Sequence, residues 1–297
     1  MICSLEDSFD ILINQQFTRR EWLRTLLSGF GLYLAVPLSI GQAASQAPRS
    51  SILEHFLGEE LTYQIGFAFF PRCGEARTRL SESEYPGLYQ ASLEWRTVGF
   101  IDWLLGGYHY SYTSNVKISS EGNRLQPVFF QLTGRHRGKE MGRSIAFDYS
   151  GKEIIFSRST RNGKCEQERV PMQEETVYED YLTLFYNFRH GCYGPLKRGR
   201  SYRLPLHIHE GMNSVDLSIA PRKEEEKHRQ REIKKAGKDF FLRFRVNRED
   251  VSSETGDIEA WLSRSGVPTK GCVKDVIFFG DLWGELIHHQ VRGTPPT

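Results

Sequence analysis

The chain has 297 residues, 39 Lys and Arg against 37 Asp and Glu, a formal net charge of +2 and an aromatic content of 12%. A balance this close to neutral excludes the electrostatic footprint of a nucleic-acid binder. The lack of any C-x-x-C or C-x-x-C-H excludes thioredoxin-like redox chemistry and covalent haem attachment.

In chain order, Thr18 to Arg24 reads T-R-R-E-W-L-R, an apolar stretch runs from Leu26 to Ile40, and Gly41-Gln42-Ala43 forms a small-residue exit. This order predicts a twin-arginine-type signal peptide over residues 1–43 and a periplasmic, cell-envelope destination for the rest. The competing reading is a retained membrane anchor. A span needs about 20 apolar residues, and Ser28, Gly29, Gly31, Pro37 and Ser39 dilute this one, so no stable anchor is expected after cleavage. Residues 44–297 then suit a single β-rich domain.

Glu60 to Phe69 alternates Leu61, Tyr63, Ile65, Phe67 and Phe69 against Thr62, Gln64 and Gly66, the pattern of a strand with one buried face. The same period returns at Gly74 to Leu80, Leu88 to Val98, Tyr108 to Ile118 and Val128 to Thr133. Turn residues bound each run, which predicts an antiparallel meander. Asp148 to Lys152 and Arg161-Asn162-Gly163-Lys164 read as hairpin turns. Glu174 to His190 changes period: Val177, Tyr181, Leu184, Phe185 and Phe188 recur at spacings of three and four, acids open the segment, and Gly191 stops it. One amphipathic helix is predicted there, packed as a plug on one opening or face of the sheet.

Strands resume at Ser201 to Glu210 and Val215 to Ile219. The charged run at 222–238 follows, with no apolar face for docking, and reads as a solvated excursion in which Glu225 and Arg229 could pair. Phe240 to Val246, Ile258 to Ser263, Val273 to Phe279 and Leu282 to His288 complete the strands. The predicted fold class is all-β, mainly antiparallel, as one curved sheet or barrel-like meander with a single amphipathic helix.

The ordered landmarks Gly58-Glu59-Glu60-Leu61-Thr62-Tyr63, Gly74-Glu75-Ala76, Glu179 to Arg189 and Ile258-Glu259-Ala260-Trp261-Leu262-Ser263 resemble the bacterial domain-of-unknown-function 3108 family over nearly all of residues 53 to 290. Tyr181 and Thr183 depart from that family's D-x-L-S helix spacing, and 222–238 stands as an insertion. The resemblance implies an exported envelope protein with this fold, and it brings no active site.

The search for chemistry finds no G-x-S-x-G, H-E-x-x-H, P-loop or G-x-G-x-x-G. Glu174-Glu175 and Glu179-Asp180 are explained by the positive end of the helix dipole, and Glu59-Glu60 by a solubilised strand edge. His207 and His209 would share one strand face as a pair of metal ligands that lacks a third; solvent-facing or hydrogen-bonded histidines are the plainer reading. Cys73, Cys165, Cys192 and Cys272 permit up to two disulfides in an oxidising compartment, with connectivity open, or four small buried thiols.

Gly99 to Tyr112 differs from the strands because Phe100, Ile101, Trp103, Leu104 and Leu105 crowd together between glycines. It reads either as a loop tucked into the core or as an apolar lip at the mouth of a cavity, with Trp95, Tyr108 and Tyr110 lining the approach. The functional expectation is an exported, non-enzymatic protein without a cofactor that binds a lipid, another apolar ligand or an envelope protein. The alternative is a periplasmic metal-binding protein or hydrolase using His207 and His209.

Overall fold

The computed structural model describes residues 51–291, apart from 69, 137–138, 160–164, 209–213, 235 and 278. The signal peptide expected over 1–43, the Arg161 to Lys164 turn and His209 lie outside the described residues. Alternating sequence becomes fourteen strands: β1 (Glu60–Phe67), β2 (Phe70–Glu82), β3 (Tyr89–Thr97), β4 (Tyr108–Ile118), β5 (Leu125–His136), β6 (Lys139–Asp148), β7 (Glu153–Ser159), β8 (Cys165–Pro171), β9 (Ser201–Pro205), β10 (Ser214–Ile219), β11 (Phe240–Arg245), β12 (Asp257–Leu262), β13 (Pro268–Val276) and β14 (Gly280–Gln290). They form one antiparallel sheet in the order 8-7-6-5-4-3-2-1-14-13-12-11-10-9. First and last strands pair in the middle, and β8 and β9 are left as edges that do not join. The sheet is curved and open, as the alternation predicts for a meander.

Among the described residues four helices complete the elements: α1 (Ile52–Phe56), α2 (Gly99–Leu105), α3 (Tyr181–His190) and α4 (Arg222–Arg229). The chain between the two sheet edges contains α3, and the sheet curls around it. Leu182 and Tyr186 pack with Ile52, Phe56, Leu80, Ala91, Val116 and Leu125, while Phe188 packs with Tyr202, Leu204, Leu217, Ile219, Leu242 and Leu262 from the other half. A third cluster joins the halves directly, with Phe130, Ile145, Phe147 and Ile154 against Leu206, Ile208 and Val215. The plug expected from the aromatic stripe is therefore a helix held between the two arms of one sheet.

The helix is shorter than its periodicity suggested. Asp180 caps it, accepting from Leu182 N and Thr183 N while Thr183 Oγ1 accepts from Asp180 N, and Gly191 ends it at φ 84°. Val177 falls outside and is exposed, because the capping box fixes the start more strongly than the hydrophobic pattern does. A helix enclosed on several sides buries polar positions too. Asn187, fully buried, accepts from Leu125 N and donates to Leu125 O, both at 2.8 Å, tying α3 to β5.

The charged excursion corrects the sequence reading. Its first half is α4, which docks on the convex face through charge: buried Glu225 accepts from Arg198 Nε at 2.8 Å and from Arg229 Nη2 at 2.6 Å. His228 stacks on Phe241 with centroids 4.1 Å apart, and Arg229 lies over Trp261. The segment needed no apolar stripe because the sheet supplies one in Ala220, Phe241 and Trp261.

Candidate functional site

Antiparallel register and the two-residue period of strands decide which side chains share the concave face. One row runs Leu61, Thr78, Leu93, Tyr112 across β1 to β4 and is covered by α1 and α3. One step toward the sheet's other end lies the row Tyr63, Ala76, Trp95, Tyr110. Further still, Phe67, Leu282, Val273, Ile258 and Phe244 stand side by side across β1, β14, β13, β12 and β11. All five are only half-buried. The helix fills one end of the curl, and the apolar wall continues past it as a mouth.

Two features shape that mouth. Trp95 and Tyr110 are directly paired across strands and stack with centroids 5.1 Å apart and planes 4° from parallel. Tyr108 lies nearly parallel to both. The result is a flat aromatic wall, since cross-strand aromatic pairs stabilise the sheet that displays them. Between this wall and the aliphatic row runs a line of small residues, Gly74, Gly284 and Gly271 flanking Ile65. A Cβ built on Gly271 meets nothing within 4 Å, so the concave surface is open there.

The lip is a helix instead of a loop. Gly106 closes α2 at φ 77°, with Gly106 N and Gly107 N donating to Asp102 O. Thr97 Oγ1 donates to the Asp102 carboxylate at 2.5 Å and accepts from Tyr108 N at 2.9 Å, pinning the helix to the strands it connects. Ile101 is buried, but Phe100, Trp103 and Leu104 project into solvent, which overturns the reading of this segment as tucked into the core. The structure brings Trp95, Tyr108 and Tyr110 together beside α2. What sequence reasoning missed was the opposite wall. Ile65 and Phe67 were visible as one strand face, but their neighbours on β12 to β14 are set by the β1–β14 pairing, which no local pattern encodes.

A polar bridge spans the two arms beneath the mouth. Asp250, in the loop between β11 and β12, accepts from Arg143 of β6 at 3.0 Å and from the Tyr181 hydroxyl at 2.6 Å. Burial and the nearby Asp250 charge push the Tyr112 hydroxyl up to about 12 and the Tyr181 hydroxyl upward as well, so both stay protonated.

Buried carboxylates elsewhere serve the fold. Glu59, read from sequence as a solubilising edge, receives both terminal nitrogens of Arg189 at 2.7 Å each and lies 3.1 Å from His289 Nε2. Glu179 accepts from Arg124 at 2.7 Å, Tyr193 at 2.5 Å and Asn187 at 2.8 Å. Burial outweighs these donors and holds its carboxyl up at about 7. Asp180, besides capping α3, accepts from Ser114 at 2.5 Å and is likewise pushed up by burial.

His207 does not sit on a solvent-facing strand. β9 ends at Pro205, and His207 is buried, tilted against Tyr178 with centroids 4.6 Å apart. Its Nδ1 has no partner among the described residues, and burial lowers its pKa to about 4. Among the described residues, no group of three His, Cys, Asp or Glu converges as a metal site. Of the four candidate cysteines, Cys73 and Cys272 are free thiols. Cys73 on β2 and Cys272 on β13 are three strand spacings apart, about 14 Å, twice the span a disulfide bridges. Cys165 lies on the edge strand β8, and Cys192, beyond the end of α3, donates to Asn123 O.

A second concavity of about 370 Å³ lies on the convex face between the 222–238 segment and β11 to β14, floored by Phe241, Trp261 and Trp283. Its rim charges largely answer one another: Lys270 pairs with Glu232, Lys274 with Asp281, and Arg243 with Glu224 and Glu259. The concave mouth is the stronger candidate, because its apolar wall is only half-buried and continuous with the core.

A family model described as "Protein of unknown function (DUF3108)" matches residues 62–282. Among curated proteins no relative matches. A solved structure of a DUF1089 family protein from Pseudomonas aeruginosa is similar at 9% identity over 69% of this chain and 91% of that one, with a TM-score of 0.32, and nothing is transferred from it. Among the described residues no helix is long and apolar enough to cross a membrane.

Proposed function

Since the chain belongs to the DUF3108 family, whose role is unassigned, function rests on the site, and we propose that this is an exported, non-enzymatic binding protein that holds an apolar ligand, such as a lipid chain, in the concave mouth. The observation that carries this reading is the half-buried wall of Phe67, Leu282, Val273 and Ile258 facing open space at Gly271, with the Trp95 and Tyr110 stack beside it. An apolar surface of this kind costs about 25 cal/mol per Å² to leave in water, so an apolar guest gains by covering it. The buried acids support binding over catalysis, since Glu59, Glu179, Asp180 and Glu225 are each held by donors within the fold. The export signal read at 1–43 supports an envelope setting.

Gly271→Phe tests the site. Gly271 has no left-handed backbone and free space before it, so the variant should keep wild-type stability while its ring occupies the mouth. Affinity for a fluorescent fatty-acid analogue, measured by titration, should fall at least about tenfold through exclusion of apolar contact. Unchanged affinity, or wild-type protein that neither binds the analogue nor yields lipid on solvent extraction, would remove the carrier reading.

A further inference from the structure

Five of the eight exposed large apolar side chains among the described residues gather at the mouth end of the sheet: Phe70 at the start of β2, Ile277 in the β13–β14 turn, and Phe100, Trp103 and Leu104 on α2, which are 61%, 76% and 53% exposed. These three elements adjoin. Val98 N donates to Cys73 O at the foot of α2, and Phe67 touches Phe70 and Phe279, with centroids 5.3 and 4.9 Å apart, linking the two hairpin ends. Beside them Arg72 and Arg96 share the single carboxylate of Glu75, at 2.7 and 3.4 Å, and both guanidinium groups remain largely exposed. Within that triad two exposed guanidinium groups face one carboxylate.

We propose that this rim is a membrane-docking surface, with Phe100, Trp103 and Leu104 entering the interfacial layer of a bilayer and Arg72 and Arg96 facing anionic headgroups. Trp and Phe backed by arginine are the residue types that settle at the lipid–water boundary. Protruding tips suit a soft surface better than they suit a second copy, which needs a complementary patch of about 800 Å² per partner. The inference deepens the carrier reading and rests on it for its purpose, since a rim set on a bilayer opens the mouth directly to lipid. The surface itself stands on the exposed side chains.

The test uses the full chain with vesicles of brominated phosphatidylcholine, alone or mixed with phosphatidylglycerol. The part of the fluorescence that Trp103→Phe removes reports on the rim alone. Bromine should quench that part, more strongly with phosphatidylglycerol present, and Phe100→Ser/Leu104→Ser should weaken the quenching titration on the order of tenfold. The remote exposed pair Val177→Ser/Ile287→Ser should leave it unchanged. If the Trp103 emission is not quenched, or the rim variant titrates like wild type, docking is overturned; if the rim variant instead abolishes self-association, a second copy is the partner. Analogue binding without vesicles is followed in parallel, so a docking failure with binding intact removes this proposal and leaves the carrier reading standing.

Discussion

Replacing Arg189 by Ala is expected to destabilise the protein by about 3–5 kcal/mol, the cost of leaving one charge of a buried pair alone. The Arg189 and Glu59 side chains are 2% and 3% exposed. The guanidinium also donates to Gly266 O at 3.0 Å and lies over the rings of Phe56 and Phe185. One side chain thus joins the end of α3 to the start of β1, the β12–β13 turn and α1, and among the described residues His289 is the other cationic partner placed at Glu59. Urea unfolding would measure the loss. The double variant Glu59→Gln/Arg189→Met should recover a substantial part of it, because the stranded charge is then gone. Lys152→Ala, which breaks an exposed pair with Glu174, should produce no measurable change. Equal effects at the two sites would show that burial does not govern the Glu59 pair.

The second large effect is a pair of opposed pH dependences. Glu179 carries a pKa of about 7 in the fold against an ordinary 4.5. The folded state therefore holds more protons than the unfolded chain between those values, and stability falls as pH rises through that window, by on the order of 3 kcal/mol in full. His207, at about 4 against an ordinary 6.5, has the reverse sign. There the unfolded chain binds more protons, and stability rises from pH 4 to 6.5 by a similar order. In the wild type the slopes oppose one another between about pH 4.5 and 6.5, and the Glu179 term alone lowers stability above that. Glu179→Gln should expose the His207 rise and then level off; His207→Phe should leave a continuous decline. Asp180 adds to the decline in both variants and drops out of the difference. A Glu179→Gln profile parallel to wild type from pH 4 to 8 would show that the carboxylate stays charged throughout.

The strands were legible wherever one face is apolar and the other wet. Tyr108–Ile118 matches its predicted run residue for residue, because alternation is a local consequence of the pleat. Two kinds of feature escaped. The 222–238 segment looked undockable because its partners, Arg198 and Trp261, lie far away in the chain, and the aromatic cover it needed belongs to the sheet. α2 escaped because a seven-residue helix between glycines has too few turns to show a period. Glu59 was read as a solubilising edge and Glu179 as a helix-dipole acid because Arg189 and Arg124 reach them only after the sheet has curled.

Taken alone, the amino-acid order determined an antiparallel all-β chain, a family resemblance spanning nearly all of residues 53 to 290, one amphipathic helix packed on the sheet, and an aromatic segment around Trp95 to Tyr110 that breaks the strand pattern. Those follow from short-range rules, since period, caps and turns act over a few residues. The tertiary structure alone decided which rows face inward, that β1 meets β14, that α3 fills one end and leaves the other open, and that Gly271 looks onto empty space. Strand pairing across more than two hundred residues is set by which faces must be buried together, and that choice is made by the whole sheet at once.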